Sequence, residues 1–185
     1  MESLALNKKG DKLLYQDKKG YEDPWRKHHQ SSITRDIWLC TLDREHSFQK
    51  ITSFKGEDRN PVWATDGSSF YYLSEEKGSF NIFKNDLTGR NSRQITNHTM
   101  HPVRFLTSDN NGNLCYGYDG EIYTVKEGTQ PKKVDVQIIS DKVENDLIHQ
   151  LKASGATDIA VSPNGKEVAF IVRGDVYVTC LLYTS

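Results

Sequence analysis

A short pattern constrains this chain more than any other feature: a polar residue, a branched aliphatic and an aromatic in succession. It occurs as Asp36-Ile37-Trp38, Asn81-Ile82-Phe83, Glu121-Ile122-Tyr123 and Asp175-Val176-Tyr177, at intervals of 45, 40 and 54 residues. A second motif follows the first three copies: Lys50-Ile51-Thr52, Gln94-Ile95-Thr96 and Lys133-Val134-Asp135. Its aliphatic lies 15, 14 and 13 residues beyond the start of the triplet. Turn dipeptides recur with the same rhythm at Lys9-Gly10, Asp66-Gly67, Asn111-Gly112 and Asn164-Gly165, because glycine takes positive φ without a Cβ clash. A lone sheet cannot bury both its faces, so strand groups repeated at this period need one another. Four strands in about forty residues make one blade of a β-propeller. The expected fold is all-β: a partial propeller of about three and a half four-stranded antiparallel blades.

The clearest blade runs from Arg59 to Thr96, and the others align on it. The division expected is blade one over 1–58, blade two over 59–101, blade three over 102–150 and an incomplete fourth blade over 151–179. In blade three, Asp119-Gly120 predicts a minimal hairpin. The cluster Asp109-Asn110-Asn111-Gly112-Asn113 reads as a turn, since it lacks the terminal bidentate acid of an EF-hand loop. Val143, Leu147, Ile148 and Leu151 fall on one helical face between Asp141 and Gly155, predicting a short helix or a loop over the surface. The closing residues 180–185, Cys180-Leu181-Leu182-Tyr183-Thr184-Ser185, resemble the translation of a transposon-end sequencing adaptor and are expected to be foreign to the protein.

Blade one departs from the pattern in one place. Tyr15 and Ile37 are 22 residues apart, against 10 for Tyr72 and Ile82, which places an inserted loop at 16–35. Long loops on a rigid scaffold are where binding residues collect. This one holds Trp25, Arg26, Lys27, His28 and His29, an aromatic with cations suited to a peptide carboxylate or aromatic group. The plainer alternative has Trp25 packing the loop down while its neighbours stay solvated. Adjacent histidines on an extended chain point apart, so His28 and His29 make no metal site. His29, Asp36 and either Ser31 or Ser32 have the residue types of a hydrolytic triad, but spacing alone does not support one. No cofactor or metal is expected.

A formal charge of −1 leaves no electrostatic footprint for nucleic acid or an anionic membrane, and no apolar run approaches the roughly 18 residues of a membrane helix. Cys40 and Cys115 sit in strand patterns as small hydrophobes and define no disulfide framework.

The run Ser154-Gly155-Ala156-Thr157-Asp158-Ile159-Ala160-Val161-Ser162-Pro163-Asn164-Gly165, with Arg173-Gly174-Asp175-Val176-Tyr177 after it, resembles the N-terminal propeller of tricorn-type serine proteases. So do Asp23-Pro24-Trp25-Arg26-Lys27-His28-His29 and Thr34-Arg35-Asp36-Ile37-Trp38. The resemblance covers residues 3 to 179. It implies a six-bladed ring of which this chain is a fragment, with further blades, a second propeller, a PDZ-like domain and a serine-protease domain on the parent chain. The family's catalytic positions lie downstream of any propeller blade, so none is carried over here. The implied role is to scaffold and channel peptides to that domain. The implied partners are peptides or protein segments and the rest of the parent chain, itself a candidate homo-oligomer. The implied compartment is cytoplasmic, or periplasmic if a signal peptide precedes Met1. The blade pattern is shared with TolB-like binding propellers and with prolyl-oligopeptidase-type propellers, which are the competing readings.

Overall fold

A computed structural model describes residues 1–19, 30–139 and 154–180. Every element among them is a strand, and all strands form antiparallel meanders in chain order. Blade one comprises β1 (Glu2–Leu6), β2 (Lys12–Gln16), β3 (Ile37–Thr41) and β4 (Ser47–Lys50). Blade two comprises β5 (Asp58–Trp63), β6 (Ser69–Ser74), β7 (Asn81–Asp86) and β8 (Arg93–Gln94). Blade three comprises β9 (Arg104–Ser108), β10 (Asn113–Tyr118), β11 (Glu121–Lys126) and β12 (Lys132–Lys133).

The two-residue period of the strand explains how blade two joins its neighbours. On β6, Phe70 and Tyr72 face blade one and pack with Leu14, Ile37, Leu39 and Ile51. Tyr71 and Leu73 face the other way, against Val103, Leu106, Leu114, Tyr116 and Val125 of blade three. Each such buried side chain contributes about 1.5–3 kcal/mol. The contacts between blades run through the inner strands β5 and β9. The blades therefore converge at their first strands and splay at their last, which is the propeller arrangement.

The repeated motifs have physical roles. The Ile37 amide donates to the Thr52 hydroxyl at 2.9 Å, and the Ile82 amide donates to Thr96 in the same way at 2.9 Å. Thr96 in turn donates to the buried Asn81 side chain at 3.0 Å. The aliphatic of the second motif returns to the first through the backbone: Ile51 to Ile37, Ile95 to Ile82 and Val134 to Ile122, each at 2.8 Å. The Asp66 carboxylate ties its own turn, accepting from the Ser68 and Ser69 amides at 2.7 and 2.8 Å. Asp119-Gly120 is the minimal hairpin expected, with φ of 52° and 74° in the type I′ pattern.

Each inner strand of the three blades also carries a register shift, with a non-glycine residue at positive φ: Ser3 (50°), Asn60 (54°) and Phe105 (56°). These are β-bulges, which bend a strand and sharpen its twist. Asn60 uses its bulge to join three blades. Its amide donates to Gln16 Oε1 at 2.8 Å, and its Nδ2 donates to the Leu106 carbonyl at 2.9 Å.

Residues Ile138–Ser185 form a second compact unit. Among its described residues, β13 (Ala156–Val161), β14 (Glu167–Val172) and β15 (Asp175–Cys180) make a three-stranded meander. Its second hairpin turns on Arg173-Gly174, at φ of 54° and 88°. Phe170 stacks on Tyr177 with ring centroids 5.5 Å apart. The helix or loop expected over 141–154 lies outside the described residues apart from Ser154, as do 181–185 of the expected foreign tail.

Candidate functional site

The end of β2 and the start of β3 hold the two roots of the blade-one insertion. The Asp17 amide donates to the Asp36 carbonyl at 3.1 Å, and Asp17 Oδ1 accepts from the Asp36 amide at 2.7 Å. Asp17 Oδ2 also accepts from the Trp38 indole at 3.2 Å. Lys19 crosses between the roots, donating to the Thr34 carbonyl at 2.8 Å and to Asp36 Oδ2 at 2.6 Å. Burial works against the Lys19 charge, but the Asp36 hydrogen bond and charge outweigh it and raise its pKa. Lys50 closes on the same Asp36 oxygen at 2.8 Å. Asp36 is thus a structural clamp between two lysines. The candidate residues Trp25, Arg26, Lys27, His28 and His29 lie outside the described residues.

Beside the clamp lies a buried ion cluster between blades one and two. Glu57 is 2% exposed and binds Arg35 at 2.5 Å and Arg59 at 2.6 Å. Arg35 also reaches Glu2 at 3.5 Å, and Glu2 pairs with Lys18 at 2.9 Å. Next to them Asp58 is 1% exposed, and its amide donates to the Arg35 carbonyl at 3.0 Å. Burial pushes its carboxyl up to about 7, partly offset by hydrogen bonds from Ser74 and Thr52. Sequence reading missed this cluster because Glu57-Asp58-Arg59 opens a blade, where charged residues are ordinarily solvated. The signal available was the strand pattern that continues directly from it.

A recess of about 240 Å³ opens at this end of the inner strands, lined by Ser3, Gln16, Arg59, Asn60, Arg104 and Phe105 among others. The insertion roots, the ion cluster and the recess therefore share one end of the blades. Arg59 and Arg104 line the recess, and the Arg59 guanidinium, held by Glu57, also lies over the Phe80 ring at 5.1 Å. Such a wall can hold a carboxylate or a peptide carbonyl. Asp109, at the far end of blade three, accepts from the Asn111 and Asn113 amides at 2.8 Å each and from Asn113 Nδ2 at 2.7 Å. It closes its own turn, as its sequence context predicts.

Comparison with known proteins places this architecture. The model of the tricorn protease N-terminal β-propeller domain matches residues 1–131. The chain belongs to this family. It is 25% identical over 164 residues to a tricorn protease homolog of Saccharolobus solfataricus, covering 86% of this chain and 15% of that protein. It is 25% identical over 159 residues to the tricorn protease of Thermoplasma acidophilum, covering 85% and 14%. The chain thus spans about a seventh of the length of these relatives. Among solved structures, the crystal structure of the tricorn protease superposes with a TM-score of 0.63 at 20% identity, over 91% of this chain and 16% of that one. A putative TolB from Agrobacterium tumefaciens gives 0.55 at 17% identity, over 70% and 47%. At these identities the solved structures speak for the fold.

Proposed function

We propose that this chain is the propeller portion of a tricorn-like peptidase, scaffolding and channelling peptide substrates to a serine-protease domain carried on the parent chain. The observation that carries the reading is the family match over residues 1–131. Two features of the geometry support it. The inner strands converge as the lining of a central passage would, and the inserted loop is rooted at the same end as the arginine-lined recess. In this reading Trp25, Arg26, Lys27, His28 and His29 contact passing peptides, and the blades divide at 1–58, 59–101, 102–150 and 151–179. The partners are peptides, the remaining blades and the catalytic domain, within a homo-oligomeric parent.

The test is peptidase kinetics on the intact parent protein with Trp25, Arg26 and Lys27 replaced by alanine. The expected result is a fall in kcat/KM on long peptides with kcat/KM on a dipeptide amide unchanged. Equal values on both, or a parent with no peptidase activity, refutes the reading. A non-enzymatic binding propeller is the second reading, favoured by the likeness to TolB. It predicts a parent that captures protein partners and hydrolyses nothing.

A further inference from the structure

A second groove lies at the opposite end of blades one to three from the insertion. Its volume is about 590 Å³, within the ordinary range for ligand sites. Ala5, Trp63 and Ala64 belong to its lining, and the Trp63 indole is fixed by donating to the Ala5 carbonyl at 2.8 Å. The charge on the lining is separated by blade. Blade one brings Lys8, Lys9 and Lys12 with a single carboxylate, Asp11, which accepts from Asn7 Nδ2 at 2.6 Å. None of these three lysines has an ion-pair partner among the described residues. Blades two and three bring Asp66 and Asp109. Lys84, outside the lining, stands 3.6 Å from Asp66 Oδ2, and Asp109 has no ion-pair partner among the described residues, so Asp109 is the stronger negative pole.

Both aspartates keep their charge because their own turns hold it. Burial opposes the charge on Asp66, but hydrogen bonds from Ser69 and Ser68 outweigh it and hold the group at about 2. The Asn113 side chain lowers Asp109, followed by backbone amides. A ligand carrying one sign of charge would lose on one side what it gains on the other. A ligand with opposite charges at its two ends gains on both.

We propose that this groove binds short peptides with both termini free, the carboxylate toward Lys8, Lys9 and Lys12 and the ammonium toward Asp66 and Asp109. The choice of peptides over other zwitterions rests on the peptidase reading above. The charge argument itself does not.

The test is calorimetric titration of the full 185-residue chain with tetra-alanine in three forms: free, N-acetylated and C-amidated. Free tetra-alanine is expected to bind, and blocking either terminus to weaken binding about threefold to fivefold, the upper range for an exposed ion pair. The double variant Lys8→Gln/Lys9→Gln should weaken the free peptide and leave the C-amidated one unchanged. Asp109→Asn, whose amide oxygen can still close the turn, should weaken the free peptide and leave the N-acetylated one unchanged. Lys77→Gln, at the other end of blade two, should change neither. Three results each overturn the proposal: no binding of the free peptide, blocked forms that bind as tightly as the free one, or sensitivity to one terminus alone. Because binding is read on this chain directly, a parent without peptidase activity would refute the functional reading and leave this result standing.

Discussion

Replacing Asp58 by asparagine should stabilise the protein at and above neutral pH and remove a loss of stability that develops as pH rises from about 4 to about 7. Asp58 is 1% exposed at the contact of blades one and two, and its carboxyl is raised from 3.8 to about 7. A folded pKa above the unfolded one means that the unfolded chain ionises first. The contribution is therefore fully present below pH 3.8, is lost as pH rises toward 7, and stays lost above it. The span corresponds to roughly 4 kcal/mol at most, since each tenfold change in proton affinity is about 1.4 kcal/mol. Asparagine keeps the shape and carries no charge, so Asp58→Asn removes that penalty. The assay is urea unfolding followed by tryptophan fluorescence, since Trp38 and Trp63 both lie in blades one and two. Run from pH 4 to pH 8.5, it should show the variant gaining on the native chain as pH rises, with the gain levelling off above about 7. A constant difference across that range would refute the reasoning, because it would mean that Asp58 is not protonated differently in the two states.

Other expectations follow from single contacts. Gly89 has φ of +76°, and a Cβ there would stand 2.2 Å from the Ile51 carbonyl oxygen, so Gly89→Ala should cost more than about 2 kcal/mol in the same unfolding assay. Thr96→Val keeps the shape but strips the buried Ile82 amide of its partner, and should cost about 1–3 kcal/mol. His98 stacks on Tyr118 at 3.8 Å and shares a hydrogen bond with the Tyr116 hydroxyl at 2.9 Å, and burial lowers its pKa below 6.5. The unfolded chain then takes up a proton that the folded one refuses, so stability should fall as pH drops below 6.5. An NMR titration of the ring should show the lowered pKa, and His98→Gln should flatten the fall.

The period of the blades was readable because it rests on side-chain chemistry that recurs with its spacing. Ile37 and Ile82 occupy the same place in successive sheets, and Thr52 and Thr96 satisfy their amides identically. Tight turns were readable for a similar reason, since few residues other than glycine tolerate the φ found at Gly67, Gly120 and Gly174. The inner-strand bulges left no such trace. Ser3, Asn60 and Phe105 share a backbone conformation and no chemistry, so the register shifts they mark are invisible to a pattern of residue types.

The candidate site divides along the same line. The place of the insertion could be counted from the sequence, because an excess between two matched strands must emerge from the hairpin that joins them. What anchors it could not. Lys19 and Asp17 grip Asp36 across the roots, while Arg35 and Arg59 meet on Glu57 from two different blades. Each is a charged residue beside a loop, and on that ground alone each reads as solvated. Only the packing of β5 against blade one takes Glu57 and Asp58 out of water. That burial then makes Glu57 dependent on its two arginines. Removing Arg35 alone leaves Glu57 on Arg59, so it should cost less than removing both arginines, which strands a buried carboxylate at about 3–5 kcal/mol. The double variant Arg35→Met/Arg59→Met, compared with Arg35→Met alone in urea unfolding, tests this. If the double variant is no less stable than the single one, the cluster is not coupled in the way its geometry requires.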